Sequence, residues 1–250
     1  MIDIFIFIIG VVIGSFLNVC IYRIPNEESI VSPPSHCGSC NHKLAAKDLV
    51  PIFSYLFLKG RCRYCKEKVS IRYLLVELFT GIVFLAIYEK YGLALITVKY
   101  ILAASIMIVI SLIDFDTTDV YQEVTHFGIG VAVIFDAIEI FKYNGDFKNY
   151  LIAVLIAGIT FGIIVYLICG MGAGDLDIAL IGSLFLGWKL TIFMILTSFI
   201  LGGIIGVILV LLKIKSKKDY IPFGPYIGMG FLLAIFIGST IIEKYYSFLL

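Results

Sequence analysis

The 250-residue sequence has few charged residues: only 15% are Asp, Glu, Lys or Arg, whereas 61% are hydrophobic. Its mean hydropathy is +1.06. An ordinary water-soluble domain carries about 25% charged residues, so the composition excludes that class. The sequence instead predicts an all-α polytopic membrane protein.

Signatures of several other protein classes are also missing. The net charge is only +1, and no basic face interleaved with aromatic residues occurs, so we expect no nucleic-acid partner. The first apolar run lacks the basic leader and small-residue cleavage site of a removable signal peptide. No glycine-rich nucleotide-binding turn follows a strand pattern, and no Ser-His-Asp or Cys-His-Asn set lies on suitable loops. Nothing therefore indicates a Rossmann-type cofactor domain or a serine or cysteine protease.

Eight apolar runs are present, and we expect about eight transmembrane helices. One stretch, residues 178–212, is far longer than the roughly 20 residues that cross a bilayer, so we predict a break at Gly187-Trp188-Lys189 that leaves the sixth helix short. The predicted spans are residues 2–22, 73–88, 93–113, 124–141, 150–168, 176–188, 190–212 and 222–242.

A polar insert, residues 23–72, separates the first span from the other seven. It holds nine of the nineteen Lys and Arg residues and four acidic ones. By the positive-inside rule the insert is cytoplasmic and the N-terminus lies outside. Counting crossings then places on the cytoplasmic side the loops beside Asp114 and Asp175 and the loop carrying Lys213, Lys215, Lys217 and Lys218. We therefore divide the chain into a first transmembrane helix (1–22), a cytoplasmic insert (23–72) and a seven-helix membrane domain (73–250).

The insert contains two Cys-x-x-Cys units with 21 residues between them. Paired units of this kind supply four thiolates for one tetrahedral zinc ion, while two disulfides are the alternative. Stable disulfides are disfavoured in the cytoplasm, and an insert this small does not fold well without a cross-link or a bound metal. We therefore favour a structural zinc. The predicted ligands are Cys37, Cys40, Cys62 and Cys65.

Two aspartates, Asp114 and Asp175, lie at the ends of long apolar runs. An ionisable residue near hydrocarbon is costly and indicates function by default, although Asp175 could also simply cap the next helix. Gly172 and Gly174 precede it and allow close backbone approach. Two carboxylates brought within a few Å share one proton, which is what aspartyl proteolysis requires. We interpret Asp136 and Glu139, which lie toward the outer end of their span near Lys142, as outer-leaflet or helix-pairing groups.

Several motifs in order along the chain resemble the prepilin peptidases, which are bifunctional leader peptidases and N-methyltransferases of the GxGD intramembrane aspartyl protease family. The resemblance covers nearly the whole sequence. It is carried by residues 14–19 (GSFLNV), residues 22–25 (YRIP), Asp48, Pro51 and Ser54 with residues 60–62 (GRC), residues 72–73 (RY), residues 76–78 (VEL), residues 113–116 (IDFD), residues 170–175 (GMGAGD) and residues 222–225 (PFGP).

The resemblance implies that Asp114 and Asp175 are the catalytic pair, supported by Gly172 and Gly174. It implies cleavage of the short basic leader of prepilin or pseudopilin substrates at the cytoplasmic face of the bacterial inner membrane. It further implies methylation of the new N-terminus from S-adenosylmethionine. For the methyltransferase activity we expect the insert and its flanking helices to hold S-adenosylmethionine, with Asn18, Arg23 and Glu77 as candidate binding residues.

The sequence departs from the family pattern at two places. Tyr121-Gln122 stands where the family usually has Pro-Asp, and Asp177 stands where it usually has Lys. The roles of Asp116, Asp119 and Asp177 stay open between sharing a proton and reading substrate charge. A proton- or metal-coupled transporter is the alternative function, in which Asp114 and Asp175 would relay protons or bind cations; a thiol oxidoreductase is a further one.

Overall fold

The computed structural model describes residues 1–216 and 221–249, and the described chain is almost entirely helical. It divides into two compact units, residues 1–97 and 98–250. This division falls after the third helix, whereas the sequence-based division placed its last boundary at residue 73. Lys217 and Lys218 of the predicted basic loop lie outside the described residues.

The N-terminal unit is built on two long helices that pack against each other. Gly10 and Gly14 on the first helix face the second, where an added Cβ would lie 2.8 Å from the Cα atoms of Gly81 and Glu77. Small residues permit this close approach of two membrane helices. The insert lies between them and contains a short 3₁₀ turn, Ala46–Asp48, and one short helix. The helices of this unit are α1 (Ile2–Arg23), α2 (Phe53–Phe57) and α3 (Ile71–Tyr91).

The C-terminal unit contains the remaining helices, and two of them continue into π-helical turns. The helices are α4 (Leu95–Thr117, whose first three residues belong to the N-terminal unit), α5 (Gln122–Tyr143), α6 (Phe147–Gly162), α7 (Ala173–Leu186), α8 (Trp188–Leu211), α9 (Gly224–Leu233) and α10 (Ser239–Leu249). The π-helical turns are Ile163–Ile168 after α6 and Ala234–Gly238 between α9 and α10.

Among the described residues, seven helical segments are long and apolar enough to cross a membrane. Together with the absence of strands among these residues, they confirm the predicted all-α polytopic membrane class. The two described helices outside these segments are α2, with five residues, and α7, with only 14. The predicted break in the long apolar run is confirmed, because α7 ends at Leu186 and α8 begins at Trp188. Gly187 joins them with φ +72°, a backbone conformation that favours glycine.

The short helix α7 lies in the middle of the C-terminal unit. It packs against α5, α6, α8 and α9. Its apolar side chains are accordingly inaccessible: Ile178, Ala179 and Ile181 are fully buried and Phe185 is 1% exposed. The segment that carries Asp175 is therefore surrounded by other helices instead of facing lipid.

Candidate active site

Asp114 lies in the last turns of α4, because the helix continues to Thr117, past the predicted end of the apolar run. Its side chain is only 2% exposed. The Oδ2 atom accepts a hydrogen bond of 2.8 Å from the backbone N–H of Gly224, at the start of α9. A buried carboxylate is thus held by a backbone amide from a distant part of the sequence.

Asp175 lies in the first turn of α7, which begins three residues earlier than the sequence predicted. Gly172 is the N-cap residue, and its N–H donates to Oδ2 of Asp175 at 3.2 Å. A carboxylate in this position also interacts favourably with the helix dipole. Asp175 is therefore not the N-cap residue of the alternative interpretation, but it binds the N–H of that residue from inside the first turn, and it is 2% exposed.

The structure brings Asp114 and Asp175 together at one end of α4 and α7. The two carboxylates are close enough for their charges to act on one another. Ile178, one turn after Asp175, lies beside Gly224, which in turn contacts Asp114. Helices α4, α7 and α9 thus meet around the pair.

The other acidic residues near the pair are exposed: Asp116, Asp119 and Asp177 all lie at the surface of the unit. Asp119 is near enough for its charge to act on Asp114. The aspartates of this region therefore form two groups: the buried pair, and three exposed residues near it.

A buried ionic cluster that the sequence analysis missed joins α4, α5 and α6. The Nζ atom of Lys99, 2% exposed, lies 3.1 Å from both Asp136 Oδ1 and Glu139 Oε1. Tyr150 donates a hydrogen bond to Glu139 and contacts the lysine. The partner of the two carboxylates is thus Lys99, whereas the sequence analysis had noted only Lys142 near them. The available signal was Lys99 itself, since a lysine inside an apolar run needs a counter-charge.

The four predicted zinc ligands form one cluster. The Sγ atoms of Cys37, Cys40, Cys62 and Cys65 all lie within 4.8 Å of one another. The Cys37 and Cys65 sulfurs are 3.8 Å apart. This is too long for a disulfide but matches the spacing of about 3.8 Å expected for two sulfurs that each lie ~2.3 Å from a tetrahedral zinc. The arrangement could hold a metal ion.

The two Cys-x-x-Cys units have the same backbone geometry. In each unit the first cysteine N–H donates to the carbonyl five residues later, that of His42 or Glu67, and the residue before that carbonyl is left-handed, Asn41 with φ 55° or Lys66 with φ 63°. Such turns present both sulfurs of a unit to one point.

The thiols differ in how readily they lose a proton. Backbone hydrogen bonds from Cys40 and Ser39 lower the pKa of the Cys37 thiol to about 6. A hydrogen bond with the Glu67 backbone lowers the pKa of the Cys65 thiol. Burial and hydrogen bonds with the other three sulfurs outweigh this effect and raise that pKa to about 12. Four thiolates this close repel one another, and a divalent cation would relieve that repulsion.

The three candidate cofactor-binding residues line one cavity of about 400 Å³ within the N-terminal unit. The side chain of each also forms a hydrogen bond with the backbone of a residue outside its own helix turn. Asn18 donates to the Tyr73 carbonyl, Arg23 donates to the carbonyls of Ser29 and Pro33, and Glu77 accepts from the Ile52 N–H at 2.7 Å. Their side chains therefore shape the cavity.

Asp48, part of the family-like stretch of the insert, fastens the second cysteine unit. Its carboxylate accepts hydrogen bonds from Arg63, Tyr64 and the Ala45 backbone. The hydrogen bond from Arg63 lowers the pKa of this carboxyl group, so that it is ionised and paired near neutral pH. Asp48 also lines the cavity, which connects the cysteine cluster to the wall of that space.

Comparison with known families matches both parts of the chain. Residues 8–91 match the bacterial peptidase A24 N-terminal domain, and residues 101–207 match the type IV leader peptidase family. No solved structure matches significantly.

Curated relatives carry the name prepilin leader peptidase/N-methyltransferase. The protein of Bacillus subtilis is 29% identical over 96% of each chain, and that of Neisseria gonorrhoeae is 30% identical over 87% of this chain and 84% of its own. The Myxococcus xanthus protein is 31% identical over 83% of this chain, which spans 63% of that relative's length. The resemblance found in the sequence motifs is thereby confirmed, and the chain belongs to the type IV leader peptidase family.

Proposed function

We propose that the protein is an intramembrane aspartyl endopeptidase that removes the short basic leader of prepilin-like proteins at the cytoplasmic face of the bacterial inner membrane. The observation that carries this proposal is the carboxylate pair: Asp114 and Asp175 are each 2% exposed and lie within electrostatic range of one another. Two carboxylates in such a site do not both ionise, so one retains a proton.

The shared proton gives the pair complementary tasks. The ionised carboxylate takes a proton from a water molecule as its oxygen attacks the scissile carbonyl carbon. The protonated carboxyl group donates to the carbonyl oxygen, and a proton then passes to the leaving amine as the C–N bond breaks. No covalent intermediate with the enzyme is required.

The charges around the pair suit a basic leader. Asp116, Asp119 and Asp177 are exposed near the buried aspartates. Exposed acidic groups attract a positively charged peptide and orient it before cleavage. The relatives support a peptidase and give no support to the transporter alternative.

The test is cleavage of a prepilin peptide by the purified full-length protein in detergent. Asp114→Asn and Asp175→Asn should each reduce cleavage by at least about 100-fold, because Asn can neither ionise nor share the proton. The variants should still insert and accumulate. The matched control is Asp3→Asn, which removes an exposed carboxylate at the start of α1 and should keep most of the activity. Substantial cleavage by Asp175→Asn would refute the assignment.

A second proposed activity is methylation of the new N-terminus, carried by the cavity of the N-terminal unit. Its volume of about 400 Å³ lies within the range of small-molecule sites, roughly 300–1,000 Å³. The lining offers carboxylates, guanidinium groups and tyrosine rings, which match the ammonium, carboxylate and adenine groups of S-adenosylmethionine. Asn18, Arg23 and Glu77 would hold the cofactor, which supplies the methyl group.

Cofactor binding can be measured without turnover. Titration calorimetry should show binding of S-adenosylmethionine to the wild-type protein and weaker binding to Glu77→Gln. Glu89→Gln, an exposed position on the same helix, is the matched control. Equal affinity of the wild type and Glu77→Gln would remove Glu77 from the site.

We assign the cysteine cluster a structural zinc, because four cysteines complete the shell of the ion and leave no open position for catalysis.

A further inference from the structure

The backbone of Gly224 is held by two side chains of α4, one at each of its two flanking peptide groups. Its N–H donates to Oδ2 of Asp114 at 2.8 Å, and its carbonyl accepts a hydrogen bond from the Ser111 hydroxyl at 3.3 Å. Ser111 and Asp114 are three residues apart and therefore lie on the same face of α4. The start of α9 is thus fixed against one turn of the helix that carries an aspartate of the pair.

Only glycine fits at position 224. A Cβ there would lie 2.6 Å from Asp114 Oδ2 and 2.9 Å from the Cδ1 atom of Ile178 on α7. The next residue, Pro225, has no N–H and so cannot compete for the carboxylate. One amide hydrogen therefore points at one oxygen of Asp114.

The hydrogen bond distinguishes the two oxygens of that carboxylate. With Oδ2 engaged by backbone, Oδ1 is left for the reacting water or the proton shared with Asp175. A backbone donor is well suited to this task, because it cannot rotate away as a side chain can. Misplacement of a reacting group by about 1 Å costs on the order of 100-fold in rate.

We propose that Gly224 and Ser111 are positioning residues of the peptidase site. The Gly224 N–H fixes the orientation of the Asp114 carboxylate, and the Ser111 hydroxyl, by holding the Gly224 carbonyl in the next peptide group, keeps the backbone of Gly224 in place. The inference rests on the proposed peptidase function and adds two residues that act through Asp114 without touching the substrate.

The kinetic test compares matched variants on a prepilin peptide. Gly224→Ala should lower kcat by about tenfold or more with little change in KM, because substrate binding is untouched while the carboxylate is displaced. Its control is Gly230→Ala, a buried glycine on the same helix whose Cβ would meet Met194 and Ser198 of α8 instead of Asp114. Ser111→Ala should also lower kcat, whereas Ser105→Ala, which loses a hydrogen bond to its own helix, should not.

A second measurement does not depend on cleavage. Pro222 and Pro225 carry no amide hydrogen, so hydrogen exchange in a fragment covering residues 222–225 reports only Phe223 and Gly224. Asp114→Ala should speed exchange there by removing the acceptor, and Asp116→Ala should leave it unchanged.

The outcomes separate the two proposals. A wild-type protein that cuts no leader refutes the peptidase function, while the exchange experiment still tests the hydrogen bond. If the wild type cleaves but Gly224→Ala loses no more kcat than Gly230→Ala, the positioning role is overturned. Unchanged exchange in Asp114→Ala overturns it as well.

Discussion

Gly174 lies directly before Asp175 and packs against Val120, in the loop that follows α4. A Cβ at this position would lie 2.5 Å from the Cγ2 atom and 2.8 Å from the Cβ atom of Val120. The glycine therefore sets how closely the start of α7 approaches the chain just beyond Asp114. At the scale of single residues, the spacing of the two aspartates depends on this contact as well as on the carboxylates.

Gly174→Ala should reduce leader cleavage by about tenfold, although alanine is the better helix former by roughly 1 kcal/mol. The loss should come from the collision with Val120, so the double variant Gly174→Ala/Val120→Ala should recover much of the activity. Cleavage assays on the purified variants check both effects. Gly158→Ala, whose Cβ would meet its nearest neighbour at 3.7 Å, is the control. A double variant no better than Gly174→Ala would show that the collision is not the cause.

At the scale of helices, Lys99 joins α4 to α5 and α6 through an ion pair with Asp136 that is almost inaccessible and a second one with the partly exposed Glu139. Side-chain exposure is 3% for Lys99, 9% for Asp136 and 25% for Glu139. One cation thus serves two carboxylates and a tyrosine hydroxyl. Removing it leaves negative charge without compensation in a medium of low dielectric constant.

Lys99→Met should destabilise the protein by about 3–5 kcal/mol, the typical cost of breaking a buried ion pair. Thermal unfolding in detergent, followed by loss of the monodisperse species, measures the change. The double variant Lys99→Met/Asp136→Asn should be less destabilised than Lys99→Met alone, since less charge is left unpaired. Lys148→Met, at an exposed position, is the control. A Lys99→Met variant as stable as that control would show that the cluster contributes nothing.

The four-cysteine cluster brings together two distant parts of the insert. If Cys37, Cys40, Cys62 and Cys65 enclose one ion, elemental analysis should find about one zinc per chain. Cys40→Ser should lose metal and speed proteolysis within residues 23–72, because binding energy of the ion is folding energy for a small insert. Methyl transfer should suffer at least as much as cleavage. Cys169→Ser, an exposed cysteine outside the cluster, should behave as the wild type does.

A different result would change the mechanism. If Cys40→Ser folds normally, lacks zinc and loses all leader cleavage, the metal takes part in the peptidase reaction, and the aspartyl mechanism proposed above is incorrect.

At the scale of the whole molecule, the side of the membrane on which the loops after α7 lie depends on whether α7 crosses the bilayer. Its 14 residues extend about 21 Å at 1.5 Å per residue, less than the hydrocarbon thickness of about 30 Å. If α7 counts as a crossing, the chain has eight spans; otherwise it has seven, and the loop after α8 changes sides.

Cysteine-accessibility mapping should place residues 30–70 and the loop after α8 on the same, cytoplasmic side. The positive-inside rule predicts this result, because both segments are rich in Lys and Arg. Positions near Lys90 and Lys142, in the last turns of α3 and α5, serve as the control, since counting crossings places both helix ends on the external side. Labelling of the two basic segments from opposite sides would mean that α7 does not cross.

Features that depend on local composition and spacing can be read from the sequence alone. Apolar runs long enough to cross a membrane, the break at Gly187, the paired Cys-x-x-Cys units and the two aspartates at the ends of apolar runs could all be read from neighbouring residues. Hydrophobic burial and metal geometry impose these patterns over short stretches of chain.

Which distant groups meet depends on how the helices pack in three dimensions. Gly224 and Asp114 are 110 residues apart, and Lys99 and Asp136 are 37 apart, so no local pattern links either pair. The cavity of the N-terminal unit is likewise formed by α1, the insert and α3 together. Such contacts arise from how helices pack, because a backbone amide or a buried lysine takes whichever partner the neighbouring helix presents.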